Sequence, residues 1–152
     1  MRVLLVEDEE HKQNDLINRL YKNGVRQDQL TVAQGVREAV IEAELQNFDL
    51  IVLDMALPTH SKASGSVAQA VGGVEVLRTL QALGRRSAII IVTQYPDVIV
   101  NGQKVKLQNV AKVLSARYEQ EILGGILYSF NMPKWEASFD ALVGVVNARG
   151  GL

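Results

Sequence analysis

Three carboxylates and one hydroxyl carry the chemical information in this chain. Glu7 and Asp8 follow the apolar run Arg2-Val3-Leu4-Leu5-Val6, Asp54 closes the run Phe48-Asp49-Leu50-Ile51-Val52-Leu53-Asp54, and Thr93 closes Ala88-Ile89-Ile90-Ile91-Val92-Thr93. Carboxylates brought together repel one another, and the usual remedy is a hard divalent cation with oxygen ligands, most simply Mg2+. Beside such a cation Asp54 could accept a phosphoryl group, because the metal neutralises charge on the transferring oxygens. Thr93 could then donate a hydrogen bond to a phosphoryl oxygen.

That chemistry requires the ends of three distant segments to meet, so the elements that carry them matter. Unalternated Leu/Ile/Val runs of this length read as strands buried on both faces of a parallel sheet. Their carboxyl ends form the edge at which open α/β sheets bind ligands. Between them the chain predicts helices. Leu16, Ile17, Leu20 and Tyr21 form one apolar face closed by Gly24; Val36, Ala39, Val40, Ala43 and Glu44 repeat within Val36 to Gln46; Val74, Leu77, Leu80 and Leu83 follow Gly72-Gly73 and stop at Gly84. Leu30 to Ala33 is a short strand. Further helices are expected around Leu107, Val110, Ala111, Leu114 and Tyr118 and from Lys134 to Ala148, with a strand at Gly125 to Tyr128. Asn101-Gly102, flanked by β-branched residues, predicts a hairpin within Val98 to Lys106. Thr59 to Val71 is a polar Ser/Gly-containing connection.

The expected architecture is α/β and flavodoxin-like: a five-stranded parallel sheet of order 2-1-3-4-5, helices on both faces, and a hairpin insert between the fourth strand and fourth helix. In that order Glu7, Asp8, Asp54 and Thr93 converge. The 152 residues, 47% hydrophobic, suit one domain spanning 1–152. A net charge of −1 without a dense basic run argues against nucleic acid and lipid surfaces as partners. No cysteine is present, which excludes disulfides and thiolate metal sites. The first apolar run is too short for a signal peptide and no segment is apolar enough to span a membrane, so a cytoplasmic location is expected.

Four segments in this order, Leu5-Val6-Glu7-Asp8-Glu9, Leu53-Asp54-Met55-Ala56-Leu57-Pro58, Gly73-Val74-Glu75-Val76-Leu77 and Ile91-Val92-Thr93, give the chain its resemblance to receiver domains of two-component response regulators. The acid-to-acceptor spacing, 54 − 8 = 46, agrees, and 93 − 54 = 39 agrees once the extra polar stretch before Gly72 is set aside. The resemblance implies that Asp54 is the phosphoacceptor and Thr93 the switch hydroxyl. It implies that Glu7, Asp8, Asp54 and the Ala56 backbone carbonyl hold Mg2+. Implied partners are a sensor histidine kinase or phosphotransfer protein and an effector protein, with a second copy of the chain as a further candidate. No enzymatic activity beyond self-phosphorylation and autodephosphorylation at Asp54 is implied. The alternative is a phosphorylation-independent pseudo-receiver, an interaction module that kept the fold.

Receivers carry a lysine-proline pair after the fifth strand. Here the stretch is Tyr128-Ser129-Phe130-Asn131-Met132-Pro133, leaving Ser129 or Asn131 at the lysine position and Lys134 as a cation that could reach back. The Thr59 to Val71 loop and the hairpin both leave carboxyl ends of strands and are expected to rim the pocket. His11 and His60 are expected at the surface, Arg85-Arg86 as solvated charges and Trp135 in the core. Tyr128 reads equally well as a mobile aromatic or a buried strand residue.

Overall fold

A computed structural model describes residues 1–57 and 72–150; the expected Thr59 to Val71 loop, with His60, lies outside the described residues. In chain order the elements are β1 (Val3–Val6), α1 (Glu10–Lys22), β2 (Leu30–Ala33), α2 (Val36–Leu45), β3 (Leu50–Leu53), α3 (Gly72–Ala82), β4 (Ala88–Thr93), β5 (Asp97–Val100), β6 (Gln103–Lys106), α4 (Val110–Tyr118), β7 (Glu121–Leu127) and α5 (Lys134–Gly150). Five strands pair in parallel in the order β2-β1-β3-β4-β7, while β5 and β6 form a separate antiparallel pair. This is the expected 2-1-3-4-5 sheet, with β7 as its fifth strand and the hairpin between β4 and α4.

Every residue of β1, β3 and β4 is buried because successive side chains point to opposite faces and both faces are covered. Leu4, Val6, Ile51, Leu53, Ile89 and Ile91 pack with residues of α2, α3 and α4. Val3, Leu5, Leu50, Val52, Ile90 and Val92 pack with α1 and α5, including Trp135, Phe139 and Val143. The predicted helix stops hold: Gly24 and Gly84 adopt φ of 92° and 68°, conformations open to a residue without Cβ. At the hairpin tip Asn101 and Gly102 have φ of 51° and 78°, the paired positive values a two-residue turn of matching twist needs.

Several expectations need correction. The fifth sheet strand starts at Glu121, four residues before the predicted Gly125. It is an edge strand, half exposed and offset by a bulge opposite Ile89/Ile90, so its first half lacks the unbroken apolar run that marks the central strands. The fourth helix begins at Val110, after a 3-10 turn over Leu107–Asn109. Tyr21 is 41% exposed and not part of the buried stripe of α1, which is Lys12, Leu16 and Leu20. Arg85 is not simply solvated, since its guanidinium donates to the carbonyls of Gln46 (2.8 Å) and Glu44 (3.2 Å) at the end of α2. Those terminal carbonyls have no partner within the helix.

Candidate functional site

The sheet register sets the site. Val6 pairs with Leu53 and Leu53 with Ile91, so the residues just beyond β1 and β3, Glu7 and Asp54, come side by side at the carboxyl edge. Backbone hydrogen bonds continue past the strands and fix both: Asp54 N donates to the Val6 carbonyl (3.2 Å), and Glu7 N to that of Ala33 (3.0 Å). Thr93, the last residue of β4, is buried; its hydroxyl oxygen accepts from Tyr95 N (3.2 Å), and its carbonyl accepts from Tyr128 N (2.8 Å).

Glu7 and Asp54 are 1% and 4% exposed, whereas Asp8 faces solvent. One carboxylate oxygen from each of Glu7, Asp8 and Asp54 lies within 4.8 Å of the others. Asp54 Oδ1 accepts from Ala56 N (2.9 Å), and Glu7 Oε2 from Glu9 N (3.0 Å). Glu7 Oε1 is buried and is met by a side-chain ammonium, that of Lys12 (2.7 Å). Three hard oxygen donors brought this close together fit a small divalent cation. Burial pushes the Glu7 carboxyl up to about 7, opposed by the Lys12 ammonium and reinforced by the neighbouring Asp54 charge.

Two glycines bring α3 against this edge. A Cβ on Gly73 would stand 2.6 Å from Met55 Cα, and one on Gly72 would stand 2.1 Å from the Leu57 carbonyl oxygen. Only a residue without a side chain permits that approach. Gly73 N donates to the Met55 carbonyl (3.2 Å), tying the start of α3 to the turn after Asp54.

The residue that sequence reasoning missed is Lys12. It reaches from the first turn of α1 into the acids and is entirely buried, with Nζ 2.7 Å from Glu7 Oε1 and 3.3 Å from Asp54 Oδ2. Nζ also donates to the Val92 carbonyl (2.9 Å) and Gln94 Oε1 (3.1 Å). A signal existed: Lys12 stands four and eight residues before Leu16 and Leu20, a cation on the stripe that faces the sheet. A buried lysine implies a buried anion to meet it. Lys134, the cation expected to reach back over Pro133, is exposed, as is Asn131, while Ser129 is half-buried.

Tyr128 is a buried residue: its ring packs against Trp135 at 5.2 Å between centroids, and its hydroxyl donates to Asp15. Burial, with that hydrogen bond next, holds its pKa above the ordinary phenol value. His11 is half-exposed but not without neighbours, lying 3.4 Å from Asp15 and 4.0 Å between ring centroids from Phe130.

No protein-family model matches the chain. Over 139 residues it is 28% identical to the Detocs response regulatory protein DtcB of Vibrio alginolyticus, covering 87% of this chain and 91% of DtcB. Its structure is similar to that of the response regulator TrrA of Thermotoga maritima in complex with Mg2+ and beryllofluoride, with a TM-score of 0.58, 20% identity, and 93% and 97% of the two chains covered. It is also similar to the receiver domain of a Francisella response regulator, with a TM-score of 0.66, 17% identity and 98% of each chain covered. No helix among the described residues is long and apolar enough to cross a membrane.

Proposed function

We propose, starting from a chain with the fold of response-regulator receivers and a response regulatory protein as its relative, that residues 1–152 form a receiver domain. It takes a phosphoryl group on Asp54 and signals through protein contacts. The observation that carries this reading is the meeting of Glu7, Asp8 and Asp54 within 4.8 Å, next to the buried Thr93. Glu7, Asp8, Asp54 and the Ala56 carbonyl would hold Mg2+, which when bound neutralises charge on the transferring oxygens. The donor class is a phosphohistidine on a sensor kinase or phosphotransfer protein. An ionised Asp54 oxygen forms the O–P bond, the donor's P–N bond breaks with its electron pair left on nitrogen, and that nitrogen takes a proton from solvent. The Ala56 amide, which donates to Asp54 Oδ1, and the Thr93 hydroxyl would meet phosphoryl oxygens.

Protein contact is supported by exposed apolar side chains around the same edge: Tyr95, Leu127, Phe130 and Met132 are each half or more exposed. An effector protein or a second copy of the chain would use them, in the cytoplasm where kinase and effector meet. No turnover of a small-molecule substrate is part of this reading.

A second reading, the phosphorylation-independent interaction module, is favoured by Lys12, whose ammonium already compensates the acids without metal. Thermal unfolding with and without millimolar Mg2+, together with labelling by acetyl phosphate, separates the two. A receiver gains stability with Mg2+, since a cation that binds only the folded state shifts unfolding by mass action. It is labelled on Asp54, and Asp54→Asn abolishes labelling. No Mg2+ shift and no labelling would leave the interaction module as the surviving reading.

A further inference from the structure

We infer that Lys12 is the side chain through which this protein grips a phosphoryl group on Asp54, an ammonium delivered by α1 in place of one from the end of β7; this rests on Asp54 being the phosphoacceptor. Among the described residues Lys12 is the one cation in ion-pair contact with Asp54, and Nζ lies 3.3 Å from Oδ2. The phosphorus would bond to a carboxylate oxygen of Asp54, so its terminal oxygens stand two bonds beyond an atom of the carboxylate that the ammonium already contacts.

The position of Nζ is fixed from both sides. Glu9 caps α1 by accepting from the amides of His11 (3.0 Å) and Lys12 (2.7 Å), which sets the first turn and the root of the side chain. At the other end the Val92 carbonyl and Gln94 Oε1 flank Thr93, so the ammonium stands between Asp54 and the strand end that carries the hydroxyl. Such a cation loses little freedom when it meets its ligand.

The charge balance calls for it. Phosphorylation consumes the Asp54 carboxylate charge but brings a dianionic group to a place already holding buried Glu7. An ammonium without access to water gains most from an anion in contact. Ser129 and Asn131, beyond β7, are uncharged, and Lys134 is exposed, whereas Lys12 is buried against Asp54.

The test uses beryllofluoride with Mg2+ as the phosphoryl mimic, its binding followed by 19F and amide NMR on wild type, Asp54→Asn, Lys12→Gln and the double variant Lys12→Gln/Ser129→Lys. Wild type is expected to bind and Asp54→Asn not; failure of wild type to bind removes the phosphoacceptor reading itself. Lys12→Gln should bind roughly ten- to a hundredfold more weakly, the range of one charge-assisted hydrogen bond. A lysine restored at Ser129 should recover part of that loss, which a merely structural role for Lys12 would not predict. Wild type binding with Lys12→Gln within threefold of it would overturn the inference while leaving the phosphoacceptor reading intact. Should Lys12→Gln not fold, Gln94→Ala replaces it, since it loosens Nζ from an exposed position without removing the charge. A loss of threefold or more then supports the inference, and unchanged binding overturns it.

Discussion

Replacing Lys12 by methionine keeps most of the aliphatic stem and deletes the charge. In the native fold Nζ is fully buried, 2.7 Å from Glu7 and 3.3 Å from Asp54, both nearly excluded from solvent. Removing one partner of a buried ion pair costs about 3–5 kcal/mol, because the remaining charge is left uncompensated in a poorly polarisable interior. Glu7 can limit that cost by binding a proton. Its carboxyl lies at about 7 with Lys12 present, above the ordinary 4.5. A carboxyl raised in the folded state contributes stability below its unfolded value and loses it as pH rises through the folded one. Deleting Lys12 removes the main influence holding Glu7 down, so the penalty should be largest above pH 7. The expected loss is therefore about 3 kcal/mol at pH 8 in metal-free buffer, shrinking toward pH 5 as Glu7 stays protonated in both proteins. Urea unfolding followed by fluorescence of Trp135, the chain's single tryptophan and a buried one, measures this. Added Mg2+ should stabilise the variant more than wild type, since it supplies the missing charge. A variant within about 1 kcal/mol of wild type at pH 8 would refute the claim that the ammonium compensates these acids.

Gly73→Ala should cost about 1–3 kcal/mol in urea unfolding, because its Cβ meets the Met55 backbone at 2.6 Å, whereas Gly144→Ala, at an exposed position of α5 with nothing within 4 Å of the added Cβ, should stabilise by about 1 kcal/mol. Arg85→Ala should lower stability by about 1 kcal/mol by freeing two carbonyls at the end of α2, with faster amide exchange confined to that turn as the check. Asp140 is held below the ordinary carboxylate value by Arg19, with Asn23 adding to it, and this partly exposed cluster joins α1 to α5. Asp140→Asn should therefore cost about 1 kcal/mol at pH 7, a cost that persists above the ordinary carboxylate value and disappears as acid protonates Asp140 in the native wild type.

The sequence by itself determined the sheet and most of the acid site. Val3 to Val6, Leu50 to Leu53 and Ala88 to Thr93 are unbroken apolar runs, and such runs have few homes other than a sheet covered on both faces. Once their parallel order follows, Glu7 and Asp54 have to be neighbours, because the carboxyl ends of adjacent parallel strands share one edge. The hairpin at Asn101-Gly102 and the stops at Gly24 and Gly84 were equally legible, since each depends on local backbone conformation. The start of β7 was not, because an edge strand with one face half exposed carries neither an apolar run nor a strict alternation. The partners of Lys12 were decided by tertiary structure. Its register with Leu16 and Leu20 marks it as a cation on the sheet-facing stripe but does not say which anion it meets. What buries it is the distance in sequence between its root in α1 and its partners Asp54, Val92 and Gln94, which only the packing of α1 across β1, β3 and β4 brings together. The chain's spelling placed the acids at one edge, and the docking of a helix chose the cation that faces them.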